Sequence, residues 1–520
     1  MKKCIQYLLI SLILSVASTA TTRCGEPFDF DDAFDSIADF ANNQEHLAVR
    51  ANATDSAAIL NIVNANGALD STLINGLYLR TNPLRRKTLS SLPLFQTPHY
   101  QFGQNLDLFV TYNQTYAGHY HKDKDSIDSA INFNQTSIIE TVDQLGLDEV
   151  DIPDIISLFR PIKSQEHKLA WVLNYANSYQ EYQYSFTLPF VYQVNTFFLT
   201  MDERKRIRDV SFSDPQDEWA FARQHLISDK LGIADLQISV ERLLKEGTLY
   251  RFHGGIDITV PTAFAFKKGI MGRHYNKKNT APSFSIHDDL LSPYGDGDQQ
   301  TALINAEKLA FNVIDRMTTI FVENELGNDG HFGVGVFARG IMDLRPNITL
   351  TSKTKFEVLL PAHEQRFMIQ PIKKSEMDVV NALPDGDNTE AIVKLNELSA
   401  LAKRYFFPES FKTQVFPGFI IQSTSKLSFH KNQWTSFIGN DFWFCSKEKF
   451  LKINAPTSLK EQLNIQAAKR GYALSSTIFI GVEKRRPNSD WDLGVVASFC
   501  PFTYGIGGDY SLSFTLAREF

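Results

Sequence analysis

Residues 472–483, Tyr-Ala-Leu-Ser-Ser-Thr-Ile-Phe-Ile-Gly-Val-Glu, decide how the chain is read. As an extended strand, Tyr472, Leu474, Ile478, Ile480 and Val482 share one face, and Ala473, Ser475, Thr477, Gly481 and Glu483 share the other. One face suits lipid and the other suits water. The length is near the ~9–11 residues with which a tilted strand crosses a bilayer.

The same period-2 pattern recurs along the chain. Trp491, Leu493, Val495 and Phe499 oppose Asp492, Gly494 and Ser498, and Phe332, Val334, Val336 and Met342 oppose His331, Gly333, Gly335 and Arg339. Leu350, Phe356, Val358 and Leu360 oppose Lys353, Lys355 and Glu357, and Tyr182, Tyr184, Phe186 and Leu188 oppose Gln183, Ser185 and Thr187. Leu236, Ile238 and Val240 oppose Asp235, Gln237 and Ser239, and Ile256, Ile258 and Val260 oppose Asp257 and Thr259. A soluble β-sandwich alternates too, but at this length it requires several domains, and no Pro/Ser/Gly-rich linker separates any. Aromatics near strand ends, Tyr182, Trp434, Trp443, Trp491, Tyr504, Tyr510 and Phe520, suit the interfacial girdles of a membrane barrel.

Composition points the same way. The 520 residues include 40 Phe and 18 Tyr, yet 21% are charged, and the mean hydropathy is only -0.20. The most apolar helical candidate, residues 303–322, is broken by Glu307, Lys308, Asp315 and Arg316, so no membrane helix is expected in the mature chain. A chain that enters lipid without such helices must do so as a closed barrel, since every backbone donor and acceptor needs a partner there. The net charge of -7 offers no basic footprint for nucleic acid. Cys24, Cys445 and Cys500 have no CxxC spacing and suggest neither zinc nor a disulfide scaffold, although Cys445 and Cys500 could pair.

Residues 1–20 read as a secretory signal peptide: Lys2 and Lys3, an apolar run from Ile5 to Val16, then Ser18-Thr19-Ala20. Cys24 follows Arg23 where lipidation wants a small residue. Residues 21–95 read as a periplasmic extension or a plug, with an acidic helix over 28–41 and Arg85-Arg86-Lys87 as a solvated loop. From residue 96 onward the expectation is an all-β, closed antiparallel transmembrane barrel of about 12 strands with helical inserts in its long loops. The expected strands are 99–113, 168–178, 181–195, 232–242, 248–263, 331–342, 349–361, 411–429, 435–446, 471–483, 491–502 and 511–520.

Short turns alternate with long inserts that start near Gln114, Leu199, Phe264, Ala362 and Lys447, and these inserts all fall on one side. Counting back from a periplasmic C-terminus, that side is extracellular. Leu303, Ala306, Ala310, Val313, Ile314, Met317, Ile320 and Phe321 form one helical stripe, and Ile392, Leu395, Leu398 and Ala402 another. Ser458 with Glu461 reads as a capping box for a short helix carrying Leu459 and Leu463. Striped helices need a surface to cover, so the inserts are expected to cap the mouth or fold into the lumen.

The last strand alternates Tyr510, Leu512, Phe514 and Leu516 and ends on Phe520, with Gly507-Gly508 upstream as a turn. This resembles the C-terminal signal by which the barrel-assembly machinery recognises outer-membrane β-barrel proteins. Arg518 departs from the pattern, as a long side chain near an interface can. The resemblance is architectural, covers 100–520, and is to uncharacterised porin-like outer-membrane barrels of Gram-negative bacteria. It implies residence in the outer membrane after export, with outer-membrane lipid and the assembly machinery as partners.

His119 and His121 have metal-like spacing but lie beside Lys122, Asp123, Lys124 and Asp125, and read as a solvated loop. Neither Asp288, Asp289, Asp296 and Asp298 nor Asp385 and Asp387 meets the spacing of a calcium loop. No metal, cofactor or catalytic residue is assigned, and no nucleophile elbow, Walker loop or HExxH motif is found. The candidate site is the expected lumen-facing set Asp235, Asp257, Arg339, Lys353, Lys355, Glu357, Glu483 and Asp492, whose mixed charges would bias ion passage or brace the interior. The leading expectation is a passive channel for ions or small solutes, not an enzyme. The alternatives are a non-conducting adhesin or scaffold, and a hydrolase at the barrel rim.

Overall fold

The computed structural model describes residues 87–92, 104–116, 164–197, 222–277, 299–323, 325–370, 407–485 and 491–519, with isolated positions between them. Seventeen strands are described: β1 (Asn105–Tyr116), β2 (Ser164–Tyr179), β3 (Tyr182–Phe197), β4 (Ile227–Ile233), β5 (Leu236–Glu246), β6 (Tyr250–Val260), β7 (Phe264–Lys268), β8 (Gly333–Arg345), β9 (Ile348–Leu359), β10 (Ala362–Met368), β11 (Glu409–Phe416), β12 (Gly418–Lys431), β13 (Trp434–Cys445), β14 (Lys449–Ile453), β15 (Ala473–Lys484), β16 (Trp491–Tyr504) and β17 (Gly508–Glu519). Two α-helices are described with them, α1 (Gln299–Phe321) and α2 (Thr457–Lys460), besides a π-helical turn, Ala222–Leu226.

Twelve strands close into a ring, each antiparallel to both neighbours. The order is β1, β2, β3, β5, β6, β8, β9, β12, β13, β15, β16, β17 and back to β1. The closing pair runs in register from Asn105 opposite Glu519 to Tyr116 opposite Gly508. Closure leaves no unpaired edge around the ring, which is the condition for strands to lie in lipid.

Tight turns mark one end. Tyr179 pairs with Tyr182 around Gln180 at φ 57, Lys431 with Trp434 around Asn432 at φ 55, and Arg345 with Ile348. Both ends of the barrel sequence, Asn105 and Glu519, lie at this short-turn end as well.

At the opposite end the strands do not stop where the inserts were expected to begin. β4 continues into β5 across Ala234-Asp235, β6 into β7 across residues 261–263, β9 into β10 across Leu360-Pro361, and β13 into β14 across residues 446–448. The expected strand 411–429 is two strands, β11 and β12, broken at Pro417, with Gly418 at φ 98 packed against Ser446. Proline donates no ladder hydrogen bond and bends the chain there. Beyond these breaks β4 pairs with β7, and β10, β11 and β14 form a separate three-stranded sheet. Among the described residues the long-loop end thus carries a collar of strand extensions beside the helical inserts.

One insert is helical as expected. The C-terminal half of α1 packs Val313, Met317, Ile320 and Phe321 against Leu226, Phe197, Phe367 and Ile369, roofing the mouth between β3 and β10. Helix α2 is a single turn with Pro456 at its N-cap and no side-chain cap bond, so Ser458 and Glu461 do not form the expected capping box. Proline has already fixed the entry to the helix two residues earlier. Leu459 and Leu463 nevertheless pack on Met368, Phe411, Ile453 and Ala468 beneath the three-stranded sheet. Residues 1–80, His119, His121, Asp296, Asp298, Asp385, Asp387, Ile392, Leu395, Leu398 and Ala402 lie outside the described residues, as does Phe520.

Candidate functional site in the barrel lumen

The ring is inverted relative to a soluble protein. Its exposed large side chains include Trp171, Phe186, Phe190, Val336, Phe356, Phe442, Ile478, Ile480, Phe499 and Phe514, a belt on the outer face. Its buried side chains include Asn113, Lys168, Gln193, Asp257, Arg339, Lys355, Thr424, Asp441, Thr477 and Ser513. In water this distribution would cost far more than folding supplies; around a lipid annulus it is the stable one. Aromatics border the belt. At the short-turn end Lys484 lies over Trp434 and Arg518 over Trp491, at 5.1 and 5.3 Å. Arg518 therefore sits at a cation–π contact beside an interfacial ring. Trp443 was expected in a girdle but is 2% exposed and faces inward with Cys445, Ala473 and Ile506.

The inner face is not purely polar. Phe437 lies directly opposite Gly481, and Phe479 opposite Gly439, on paired strands β13 and β15. A Cβ at either glycine would come within 2.2 Å of the facing ring, so the absence of a side chain is what lets each ring lie flat across its neighbour. These rings narrow the lumen without opening a gap in the wall.

Of the expected lumen set, four residues form one cluster. The Lys355 ammonium lies 3.2 Å from Asp257 and 3.1 Å from Glu357, and Lys353 lies 3.8 Å from Asp257 and 4.2 Å from the centre of the Phe337 ring. Thr259 donates to Glu357 at 2.7 Å, and Ser239 to Asp257. One strand over, Arg339 pairs with Glu241, a residue the sequence reading left out although it also points inward. With Lys426 the basic groups occupy β8, β9 and β12. Acidic and basic groups are thus interleaved on β5, β6, β8 and β9, while the acidic Asp107, Asp441 and Asp509 lie on β1, β13 and β17.

The remaining members behave differently. Asp235 is buried in the break between β4 and β5, where it accepts the backbone N–H groups of Ala263 at 3.2 Å and Asn328 at 2.5 Å. It fastens a loop instead of lining open lumen, because the chain breaks between β4 and β5 there and its carboxylate meets the backbone at residues 263 and 328. Glu483 and Asp492 are half-buried near the short-turn mouth.

Two chain segments enter the long-loop half of the lumen. Residues 87–92 include a 3-10 turn, Leu89–Ser91. Lys87 donates to Thr477 at 3.1 Å and lies 3.9 Å from Asp509, and Gln422 donates to the Ser91 carbonyl at 2.8 Å. Leu89 and Leu92 pack with Phe109, Val172, Val191 and Leu326. Lys87 was expected in a solvated loop; it is buried, because the lumen supplies the hydroxyl and carboxylate that solvent would otherwise replace. The second segment, described at residues 322, 323 and 325–331, follows α1. Glu323 accepts from Ser228 and pairs with Lys230 at 2.5 Å, and Leu326 meets the first segment. A cavity of about 80 Å³ remains between the two segments, Trp443, Cys445 and Arg470. Cys445 and Cys500 are not joined by a disulfide, so the pairing considered from sequence does not form.

An ionic clamp secures the second segment to the collar. His331 meets two acceptors, the Leu360 carbonyl through Nδ1 and Glu364 through Nε2, each at 2.8 Å. Both ring nitrogens must then donate, which defines an imidazolium. Arg366 bridges Glu364 at 3.1 Å and Glu448 at 2.8 Å, and Arg470 pairs with Asp329 at 2.9 Å. Burial alone would lower the His331 pKa, but the bond and charge of Glu364 outweigh it and raise the pKa above 6.5. Burial alone would raise Glu364, but Arg366, Arg470 and His331 hold it well below the usual carboxylate range.

The geometry defines a closed transmembrane-type β-barrel with a charged, partly filled lumen. No protein-family model matches the chain, and no curated protein matches it. Among solved structures, it is similar to the COG4313 outer membrane channel from Pseudomonas putida F1, with 9% identity, 81% of this chain and 97% of that chain covered, and a TM-score of 0.39. It is also similar to the translocator domain of the autotransporter NalP from Neisseria meningitidis, at 6% identity, 81% and 90% coverage and a TM-score of 0.33. A third similar structure is the NanC porin, at 7% identity, 80% and 100% coverage and a TM-score of 0.27.

Proposed function

We propose that the protein is an outer-membrane channel for ions or small polar solutes, restricted at its long-loop half by residues 87–92 and 322–331. The observation that carries this reading is the charged wall of β6, β8 and β9, where Asp257, Arg339, Lys353, Lys355 and Glu357 all point away from the apolar belt. Fixed charges of both signs on one wall of a lumen give a permeating ion a local field to follow. The long-loop end faces outward and both ends of the barrel sequence face the periplasm, as the even strand number requires of a barrel with short periplasmic turns. Residues 21–95 act as a plug through 87–92, a role favoured over a periplasmic extension by the Lys87 and Gln422 contacts. Export through the signal peptide and recognition of the final strand by the assembly machinery belong to the same reading.

The close pairing of these charges favours a second reading, a braced and non-conducting scaffold that presents its collar to a partner. Single-channel recording of the refolded protein in planar bilayers separates the two. Stable steps that change selectivity when Lys353 and Lys355 are reversed support the channel; a folded, inserted, silent barrel overturns it.

A further inference from the structure

The outer face of the paired strands β4 and β7 carries a surface that ring closure does not require. Phe264 and Phe266 are 62% and 60% exposed, with ring centroids 5.8 Å apart in an edge-on pair. Exposed Lys267 and Lys268 follow, and then a turn that shows Ile270 and Met271 to the outside.

This turn is built, not loose. Asp229 on β4 is fully buried, and its carboxylate accepts the backbone N–H groups of Ile270 at 2.9 Å, Met271 at 3.2 Å and Gly272 at 2.8 Å, with the Tyr192 hydroxyl at 3.2 Å. Arg223 donates to the Met271 carbonyl at 2.7 Å, and Gly269 takes the left-handed conformation at φ 65 that the turn needs. A buried carboxylate is thus committed to holding an apolar tip in the open.

Strand register gives the height of that tip. Phe190, an exposed residue of the apolar belt, pairs with Ile233, which pairs with Phe264. Lys267 lies opposite Leu231, and Leu231 opposite Tyr192. Phe264 is therefore level with the upper edge of the belt and Lys267 lies beyond it toward the long-loop end, the order in which a bilayer presents acyl chains and then phosphates. The nearby charge is basic: Arg223, Arg273 and His274 are exposed, while Asp315 is already shared by Arg273 and His225.

We propose that the β4–β7 tip binds a phosphate-bearing lipid of the leaflet at the long-loop end, with an acyl chain along Phe264 and Phe266 and the phosphate at Lys267 and Lys268. The inference rests on the outer-membrane reading above, under which this lipid is the phosphorylated glycolipid of the outer leaflet. The full-length protein in detergent is mixed with a bisphosphorylated glucosamine lipid or its dephosphorylated form, and bound lipid is counted by native mass spectrometry. The parent is expected to hold the phosphorylated lipid, and Lys267→Glu/Lys268→Glu to hold it about tenfold less or weaker. Phe264→Ser/Phe266→Ser is expected to weaken both lipids. Equal binding by parent and charge-reversed variant, or equal binding of both lipids by the parent, overturns the site. Heat-modifiable mobility and bilayer insertion are scored on the same samples, so a chain that fails to form a membrane barrel is seen as failure of the underlying reading and not of the site.

Discussion

Replacing Lys355 by methionine removes one charge from a cluster of two lysines and two carboxylates, in which its ammonium lies 3.2 Å from Asp257 and 3.1 Å from Glu357. Among the described residues Glu357 then keeps the Thr259 hydroxyl at 2.7 Å, and Asp257 keeps Ser239 and, at 3.8 Å, Lys353. The wall gains a net negative charge. A unit charge ~5 Å from a permeating ion contributes about 0.8 kcal/mol at the dielectric of water and about 3 kcal/mol at an effective value near 20. The smaller figure already corresponds to about a fourfold change in relative permeability toward cations. The assay is the reversal potential across a salt gradient, repeated at rising ionic strength, because screening should shrink the shift as the Debye length falls from ~10 Å toward ~3 Å.

Breaking a buried pair also costs about 3–5 kcal/mol of stability, so Lys355→Met should unfold at lower urea than the parent. Lys355→Met/Glu357→Gln restores neutrality and should return the reversal potential toward its starting value. Glu357→Gln alone should move it the other way. Inserted, conducting Lys355→Met with an unshifted reversal potential at low salt would refute the placement of this cluster on the ion path.

The lumen segments and the collar yield further expectations. Lys87→Gln keeps a polar tip but is one atom too short for Thr477 and loses the attraction of Asp509, and should raise open-channel conductance or flicker in bilayer recordings; unchanged currents would mean that residues 87–92 do not obstruct the path. Asp235→Ala strands the N–H groups of Ala263 and Asn328, at about 1–3 kcal/mol each, and should make the loop before β8 more open to protease while leaving heat-modifiable mobility intact. The clamp should be tightest between the ordinary pKa values of 4.5 for Glu364 and 6.5 for His331. The Glu364 contribution is present above 4.5 and is lost as pH falls through its depressed folded value, and that of His331 is present below 6.5 and is lost as pH rises through its raised one. Alkaline loosening, followed by hydrogen exchange of residues 325–331, should vanish in His331→Gln. Cys445 lines the cavity between the two segments, so a small thiol reagent added at the long-loop side should reduce current, and more quickly in Lys87→Gln.

The barrel was legible because its signal is local and repeated. Along β9, Lys353, Lys355 and Glu357 alternate with Phe356 and Val358, and the pleat alone sends them to opposite faces whatever the partner strand. The same reasoning fails wherever the chain leaves the pleat. Asp235 continues the alternation of Gln237 and Ser239 on paper, yet it sits at the break between β4 and β5 and is drawn to backbone donors at residues 263 and 328. Phe411 to Phe429 looked continuous because Pro417 ends one strand as readily as it bends a longer one. Trp443 was assigned by residue type and not by parity; counting along β13 from Asp441 would have put it inside.

The plug contacts lie beyond any local pattern. Lys87 finds Thr477 across 390 residues of chain, and Gln422 finds Ser91 across 331. A run of Arg85-Arg86-Lys87 reads as solvated because, by itself, nothing in it can repay the loss of water around an ammonium. What repays it is the lumen, a polar surface that exists only after twelve strands have closed. The segment at 87–92 can therefore find its place only once the ring exists, while the charges on β6, β8 and β9 are positioned by neighbouring strands during ring formation. Of the two, residues 87–92 are the part held by side-chain contacts and not by ladder bonds. Under the channel reading, that is the property required of the element that sets how open the lumen is.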